Sequence, residues 1–126
     1  MANEITLSLS LAVRNGNYDE SVSDSTRVDQ TTQRAASGVV VVGSNAVQTI
    51  ALGDVTTAGY ASFRNLSTAT SGTAYIALGK YDGTNLHEFV QLRRGQPAML
   101  PLIGNVSVGA RSYGTPANLR YIILAE

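Results

Sequence analysis

The chain has no cysteine and no tryptophan, and only one histidine, two phenylalanines and three prolines in 126 residues. Without cysteine there is no disulfide framework and no thiolate to serve as nucleophile or metal ligand. A single histidine, His87, rules out a multi-histidine zinc centre. Any Ser-His-Asp relay would have to use that residue as its base. Charge is scarce too: 14% of residues are charged, against about 25% in an average globular domain. Nine cations balance nine anions, so no excess of one sign steers the chain toward nucleic acid or an anionic membrane. The longest aliphatic run, Val39 to Val42, is far too short to span a bilayer. The opening Met1-Ala2-Asn3-Glu4 lacks the basic-then-apolar character of a secretory leader. Neither nucleic acid nor membrane is expected as a partner.

What replaces charge is hydroxyl and amide. Twelve serines, twelve threonines, eight asparagines and twelve glycines accompany a hydrophobic content of 44%. The length suits one domain with a substantial core. Near-zero net charge gives weak protection against self-association.

The clearest pattern is Ile5-Thr6-Leu7-Ser8-Leu9-Ser10-Leu11-Ala12-Val13. Its two-residue period predicts a strand with one face on a core and the other toward water or a partner. Asn15-Gly16 is a turn signal. Residues 17–37 differ in kind, with Asp19, Glu20, Asp24, Arg27, Asp29 and Arg34 around only three sizeable apolar residues, Tyr18, Val22 and Val28. Their Ser, Thr and Val content favours extended structure. The segment cannot bury enough apolar surface to hold itself in place. It is expected to be a polar extended arm or edge hairpin steadied by a neighbouring sheet.

From Gly38 onward short strands follow one another at near-regular spacing. They are expected at Val39–Val42, buried on both faces, then Ala46–Leu52, Tyr60–Leu66, Thr73–Leu78 and Leu86–Leu92. Ala98–Ile103 carries Pro101, which marks an edge. A short strand at Val106–Ala110 and a last one at Leu119–Leu124 close the chain. No segment has a helical apolar period. About nine short strands predict an all-β fold, an antiparallel, jelly-roll-like β-sandwich occupying residues 1–126 as one domain.

Catalytic and metal chemistry is hard to build from these residues. His87 lies mid-strand, and its neighbour Glu88 points to the opposite face. The acidic residues Asp19, Glu20, Asp24 and Asp29 do not match EF-hand spacing. Gly72 to Lys80 ends in the Gly-Lys of a phosphate loop, but Ala74 and Tyr81 stand where that loop needs glycine and Ser or Thr. The chain is therefore expected to be no enzyme and to hold no cofactor or metal. Contact residues are sought instead in the polar arm (Tyr18, Val22, Arg27, Val28, Arg34) and near later turns (Tyr81, Arg93, Arg94, Tyr113). Tyrosine pairs an apolar ring with a polar tip, and the planar fork of arginine suits a partner's carboxylate.

One stretch carries a resemblance. Ile50-Ala51-Leu52-Gly53-Asp54-Val55, then Gly59-Tyr60, then Arg64-Asn65-Leu66 resembles a phrase in small virion structural proteins of tailed bacteriophages. The Thr73–Leu78 strand, the Glu88–Leu102 segment around Pro101, and the opening strand with its Asn15-Gly16 turn also fit, so the likeness spans residues 5–103. It implies a β-sandwich subunit that joins a virion after synthesis in the host cytoplasm. Expected partners are the major capsid protein or other virion proteins, with self-association into a dimer or trimer. The role it favours is capsid decoration, or cement. A tail, neck or fibre-base position is the alternative. A carbohydrate-binding β-sandwich for cell-surface attachment is a further one, weakened by the absence of tryptophan.

Overall fold

Alternating apolar and small hydroxyl residues favour pleated strands almost throughout. A computed structural model describes residues 4–30, 34–52, 55, 57–67, 74–102 and 107–125. Among these residues ten strands run in chain order: β1 (Glu4–Asn15), β2 (Tyr18–Asp29), β3 (Ala35–Val42), β4 (Gln48–Thr49), β5 (Ala58–Asn65), β6 (Tyr75–Tyr81), β7 (Leu86–Arg93), β8 (Pro97–Pro101), β9 (Val108–Tyr113) and β10 (Ala117–Ala125). All pairings are antiparallel, and no helix occurs among the described residues. The strands fall into two compact units, Met1–Gln33 and Arg34–Glu126.

The first unit is a two-stranded ribbon. β1 and β2 pair over their full twelve residues, from Glu4 opposite Asp29 to Asn15 opposite Tyr18, a length of about 40 Å at the usual strand rise. Gly16 and Asn17 form the two-residue loop, and Gly16 has φ 60°. Such loops need positive φ to match strand twist, which glycine adopts without penalty.

The second unit is a β-sandwich of two four-stranded sheets, β3-β10-β5-β8 and β4-β9-β6-β7. Its connectivity has a simple rule. The first strand of the unit pairs with the last, the second with the last but one, the third with the sixth, and the fourth with the fifth. A long hairpin wrapped into two layers gives this order. Val42, Phe63, Leu119 and Ile123 from one sheet and Ile76, Leu78, Leu92 and Ala110 from the other share one buried cluster. Phe63, Ile76, Leu119 and Ile123 are almost wholly hidden.

Asn65 clamps the two sheets. It is 2% exposed, and its Nδ2 donates to the Leu92 carbonyl at 2.9 Å while its Oδ1 accepts from the Ser67 N–H at 2.8 Å. Its backbone bonds Gln96 and Gly95 in the turn between β7 and β8. A buried amide is tolerated because both ends are satisfied.

The structure corrects several expectations. The all-β sandwich is present, with eight strands in the sandwich and two in the ribbon. Ile5–Val13 is half of the ribbon, and none of its residues is in the buried cluster of the sandwich. Leu9, Leu11 and Val13 on its apolar row are exposed. Residues 17–37 are not one arm: 18–29 are the other half of the ribbon, and 35–37 begin β3. Val39–Val42 is not buried on both faces, since Val42 is hidden while Val39 and Val41 are 58% and 63% exposed. The strand expected at Ala46–Leu52 is only Gln48–Thr49. Pro101 does sit on an edge strand, β8, where a missing N–H is harmless.

Candidate assembly surfaces

Directly paired residues of an antiparallel ladder share a face. On one face of the ribbon, Ile5, Leu7, Leu9, Leu11 and Val13 stand opposite Val28, Thr26, Asp24, Val22 and Glu20. The other face carries Thr6, Ser8, Ser10, Ala12 and Arg14 opposite Arg27, Ser25, Ser23, Ser21 and Asp19. One side is thus an apolar strip holding two carboxylates, and the other is a polar face rich in serine hydroxyls, with charges toward its ends. Leu9 and Leu11 on the strip are 53% and 71% exposed, and Val13, Tyr18 and Val22 are exposed beside them. The Tyr18 hydroxyl donates to Glu20 Oε2 at 2.7 Å, which pushes the tyrosine pKa up. Arg14 and Asp19 approach to 3.9 Å across the hydroxyl face, a surface pair of little energetic weight.

A second surface lies on the outside of the sheet β3-β10-β5-β8. Arg120 is directly opposite Arg64, with Val39 beyond the first and Pro97 beyond the second. The next row across the same face is Ser37, Ile122, Ser62 and Met99. Ile122 and Met99 are about two-fifths exposed and Val39 and Val41 more so. Both arginines are exposed, and neither has an ion pair among the described residues. Like charges directly opposed on a sheet repel.

The outside of the other sheet is polar and aromatic. Tyr75 and Tyr113 are directly paired and their rings stack at 4.8 Å. The Arg111 guanidinium lies 5.2 Å from the Tyr113 ring centre. The Tyr113 hydroxyl donates to Glu88 Oε1, which raises the tyrosine pKa. Beside this group a shallow depression is lined by Tyr75, Ala77, Glu88, Phe89, Val90 and Gln91. Phe89 is 70% exposed.

The expected contact residues are therefore dispersed. Tyr18, Val22 and Val28 share the apolar face of the ribbon, while Arg27 is on the hydroxyl face. Arg34 is exposed just before β3. Tyr81 ends β6 and donates to the Gly83 carbonyl at 3.1 Å. Arg93 and Arg94 are exposed at the β7–β8 turn, and Tyr113 is held in the stack. Sequence reasoning missed Leu9, Leu11 and Val13, because it gave their face to the core. It also missed Arg64 and Arg120, which are 56 positions apart and meet only through strand pairing.

His87 does have a carboxylate partner. Its Nε2 lies 3.2 Å from Asp82 Oδ2 in the exposed β6–β7 turn. Asp82 Oδ1 also accepts the Asn85 and Thr84 N–H groups. These two backbone bonds, with the histidine's help, hold its pKa down at about 2. The acidic residues Asp19 and Asp29 face the opposite side of the ribbon from Glu20 and Asp24. Among the described residues no three His, Asp or Glu side chains are grouped to hold a metal.

Comparison with family models, with curated proteins and with solved structures finds no match to this chain.

Proposed function

We propose that this chain is a structural subunit of a bacteriophage virion, attaching to the capsid surface as a decoration or cement protein. The observation that carries the reading is the ribbon. A lone two-stranded hairpin is marginally stable in water, yet this one extends twelve residues and leaves Leu9, Leu11, Val13 and Val22 of its apolar strip exposed, while Ile5 at the far end is buried. Covering a leucine or valine side chain fully is worth about 1.5–3 kcal/mol. Such a strip has a purpose when another surface covers it, which is the situation of an assembling subunit.

The pairing order of the sandwich supports the same reading. First-with-last pairing through four nested strand pairs resembles the order of a jelly roll, an architecture that viral capsid domains use. The resemblance of residues 5–103 to small phage virion proteins points the same way. In this role the sandwich is a rigid body and the ribbon is the assembly device. The partner shell is built from the major capsid protein, and repeated weak contacts across its lattice add up.

The test is cosedimentation of the full chain, and of the chain lacking residues 1–33, with purified particles of the parent phage. Full-length protein should saturate the particles evenly at hundreds of copies. The shortened protein should remain in the supernatant. Equal binding of the two would overturn the role of the ribbon. Labelling confined to one vertex or to the tail would move the protein to a neck, tail or fibre-base position.

A second reading rests on the depression at Tyr75, Glu88, Phe89 and Gln91. Lectin domains also use jelly rolls, and sugars stack on exposed rings while amides and carboxylates bind their hydroxyls. Glycan-array binding abolished by Phe89→Ala would favour attachment to a cell surface.

A further inference from the structure

The net charge of zero conceals an asymmetry. Residues 1–33 hold five carboxylates and two arginines, and residues 34–126 hold seven cations and four carboxylates. The ribbon unit is therefore at −3 and the sandwich unit at +3. The division continues at the level of single faces. The apolar strip of the ribbon contains Asp24 opposite Leu9 and Glu20 opposite Val13, and no cation. The outer face of β3-β10-β5-β8 contains Arg64 beside Arg120, with exposed Val39, Val41, Ile122 and Met99 around them and no carboxylate.

Each face carries what the other lacks. Two arginines side by side repel one another until an anion comes between them. A carboxylate accepts arginine forks well, in a geometry that lysine does not match. Exposed apolar side chains flank the charges on both faces, with Ser37 and Ser62 between them on the sheet, so contact would exclude much of the water from the ion pairs and strengthen them. Charges set among exposed apolar side chains also fix register, because a partner shifted away from Asp24 would bury the arginine pair without its anion.

We infer that the outer face of β3-β10-β5-β8 is the receptor for the apolar, acidic face of the ribbon of a second copy, with Asp24 at the Arg64–Arg120 pair. This deepens the assembly reading and rests on it for the role of the ribbon. Copies linked in this way would reach a shell as a multivalent set, each held by a neighbour's ribbon.

Sedimentation velocity of the full chain over a concentration series, without particles, tests the inference. Wild type should self-associate. Asp24→Arg alone and Arg64→Glu/Arg120→Glu alone should each weaken association by about 100-fold, the scale of a broken desolvated charge pair. An equimolar mixture of the two variants should recover association, since the ribbon of either variant meets an oppositely charged sheet face on the other. All three side chains are exposed, and circular dichroism with a urea midpoint checks that the variants fold. Should Arg64→Glu/Arg120→Glu fail to fold, Arg64→Gln/Arg120→Gln takes its place.

Wild type that stays monomeric to about 1 mM, the weak end of specific association, would overturn the inference. So would association that ignores both sets of substitutions. The cosedimentation experiment reports separately. Protein that binds particles but never self-associates defeats this inference alone, while protein that self-associates but never binds particles defeats the virion role alone.

Discussion

The ribbon and the sandwich are written in the same alphabet and end differently. Both alternate apolar with polar residues along antiparallel strands. Leu11 of the ribbon is 71% exposed, whereas Leu119 of the sandwich is wholly hidden. Alternation defines a face; it does not say what covers it. Two four-stranded layers can cover each other. A two-stranded layer has no second layer within its own unit. The comparison teaches that an equally regular apolar row is left largely exposed on β1 and is buried in a core on β10.

The largest expected effect breaks or confirms this contrast directly. Phe63→Ala should lower the stability of the sandwich by about 3–5 kcal/mol, the cost of a large core cavity. Leu11→Ala should change the same unfolding free energy, read by urea titration, by less than about 0.5 kcal/mol in dilute solution, as at other exposed positions. Comparable losses from the two substitutions would mean that the ribbon strip is already part of a packed core.

Much of the sandwich was legible in the sequence for a physical reason. Turn residues such as Asp82-Gly83 and Arg94-Gly95 punctuate it, and the glycines at 83 and 95 have positive φ. Pro101 marked an edge because proline cannot donate to a ladder. Other features were hidden. Glu88 and Val90 look like neighbours on one face, but the register slips between Leu78 and Gly79 and turns Glu88 outward. A Cβ at position 79 would lie 1.9 Å from the His87 carbonyl oxygen, so only glycine admits the irregularity. The ribbon was misjudged because Ile5–Val13 has the pattern of a core strand and residues 18–29 do not. Their full-length pairing is a property of two segments together. Arg64 and Arg120 are brought side by side only through the β5–β10 register.

The next effect sharpens what holds the sandwich together where the ribbon has no counterpart. Asn65→Ala leaves the Leu92 carbonyl and the Ser67 N–H without their side-chain partner. A buried group left unsatisfied costs about 1–3 kcal/mol, and the clamp ties both sheets. We expect a loss of about 2 kcal/mol in the full chain and in the chain lacking residues 1–33 alike. A loss seen only when the ribbon is present would mean that the two units do not fold independently. Hydrogen exchange at the Leu66 N–H, which bonds the Asn118 carbonyl, should accelerate in the variant.

The smallest effect contrasts the two kinds of hairpin turn. The ribbon turn depends on the positive φ of Gly16. The β6–β7 turn is tied by a side chain, with Asp82 accepting the Asn85 and Thr84 N–H groups and lying beside His87. Those bonds favour the carboxylate, so its pKa falls from 3.8 to about 2. The sign follows by linkage. A depressed native pKa contributes stability that is fully present above the ordinary aspartate value, and that is lost as pH falls from about 4 toward 2. Because the group is exposed, solvent keeps the contribution small. Carboxyl NMR of the full chain should show Asp82 titrating near pH 2. Between pH 5 and pH 2 the urea midpoint of wild type should fall more steeply than that of Asp82→Asn. Titration at the ordinary aspartate value, or parallel midpoints for the two proteins, would show that the side chain does not tie this turn and that both hairpins rest on backbone conformation alone.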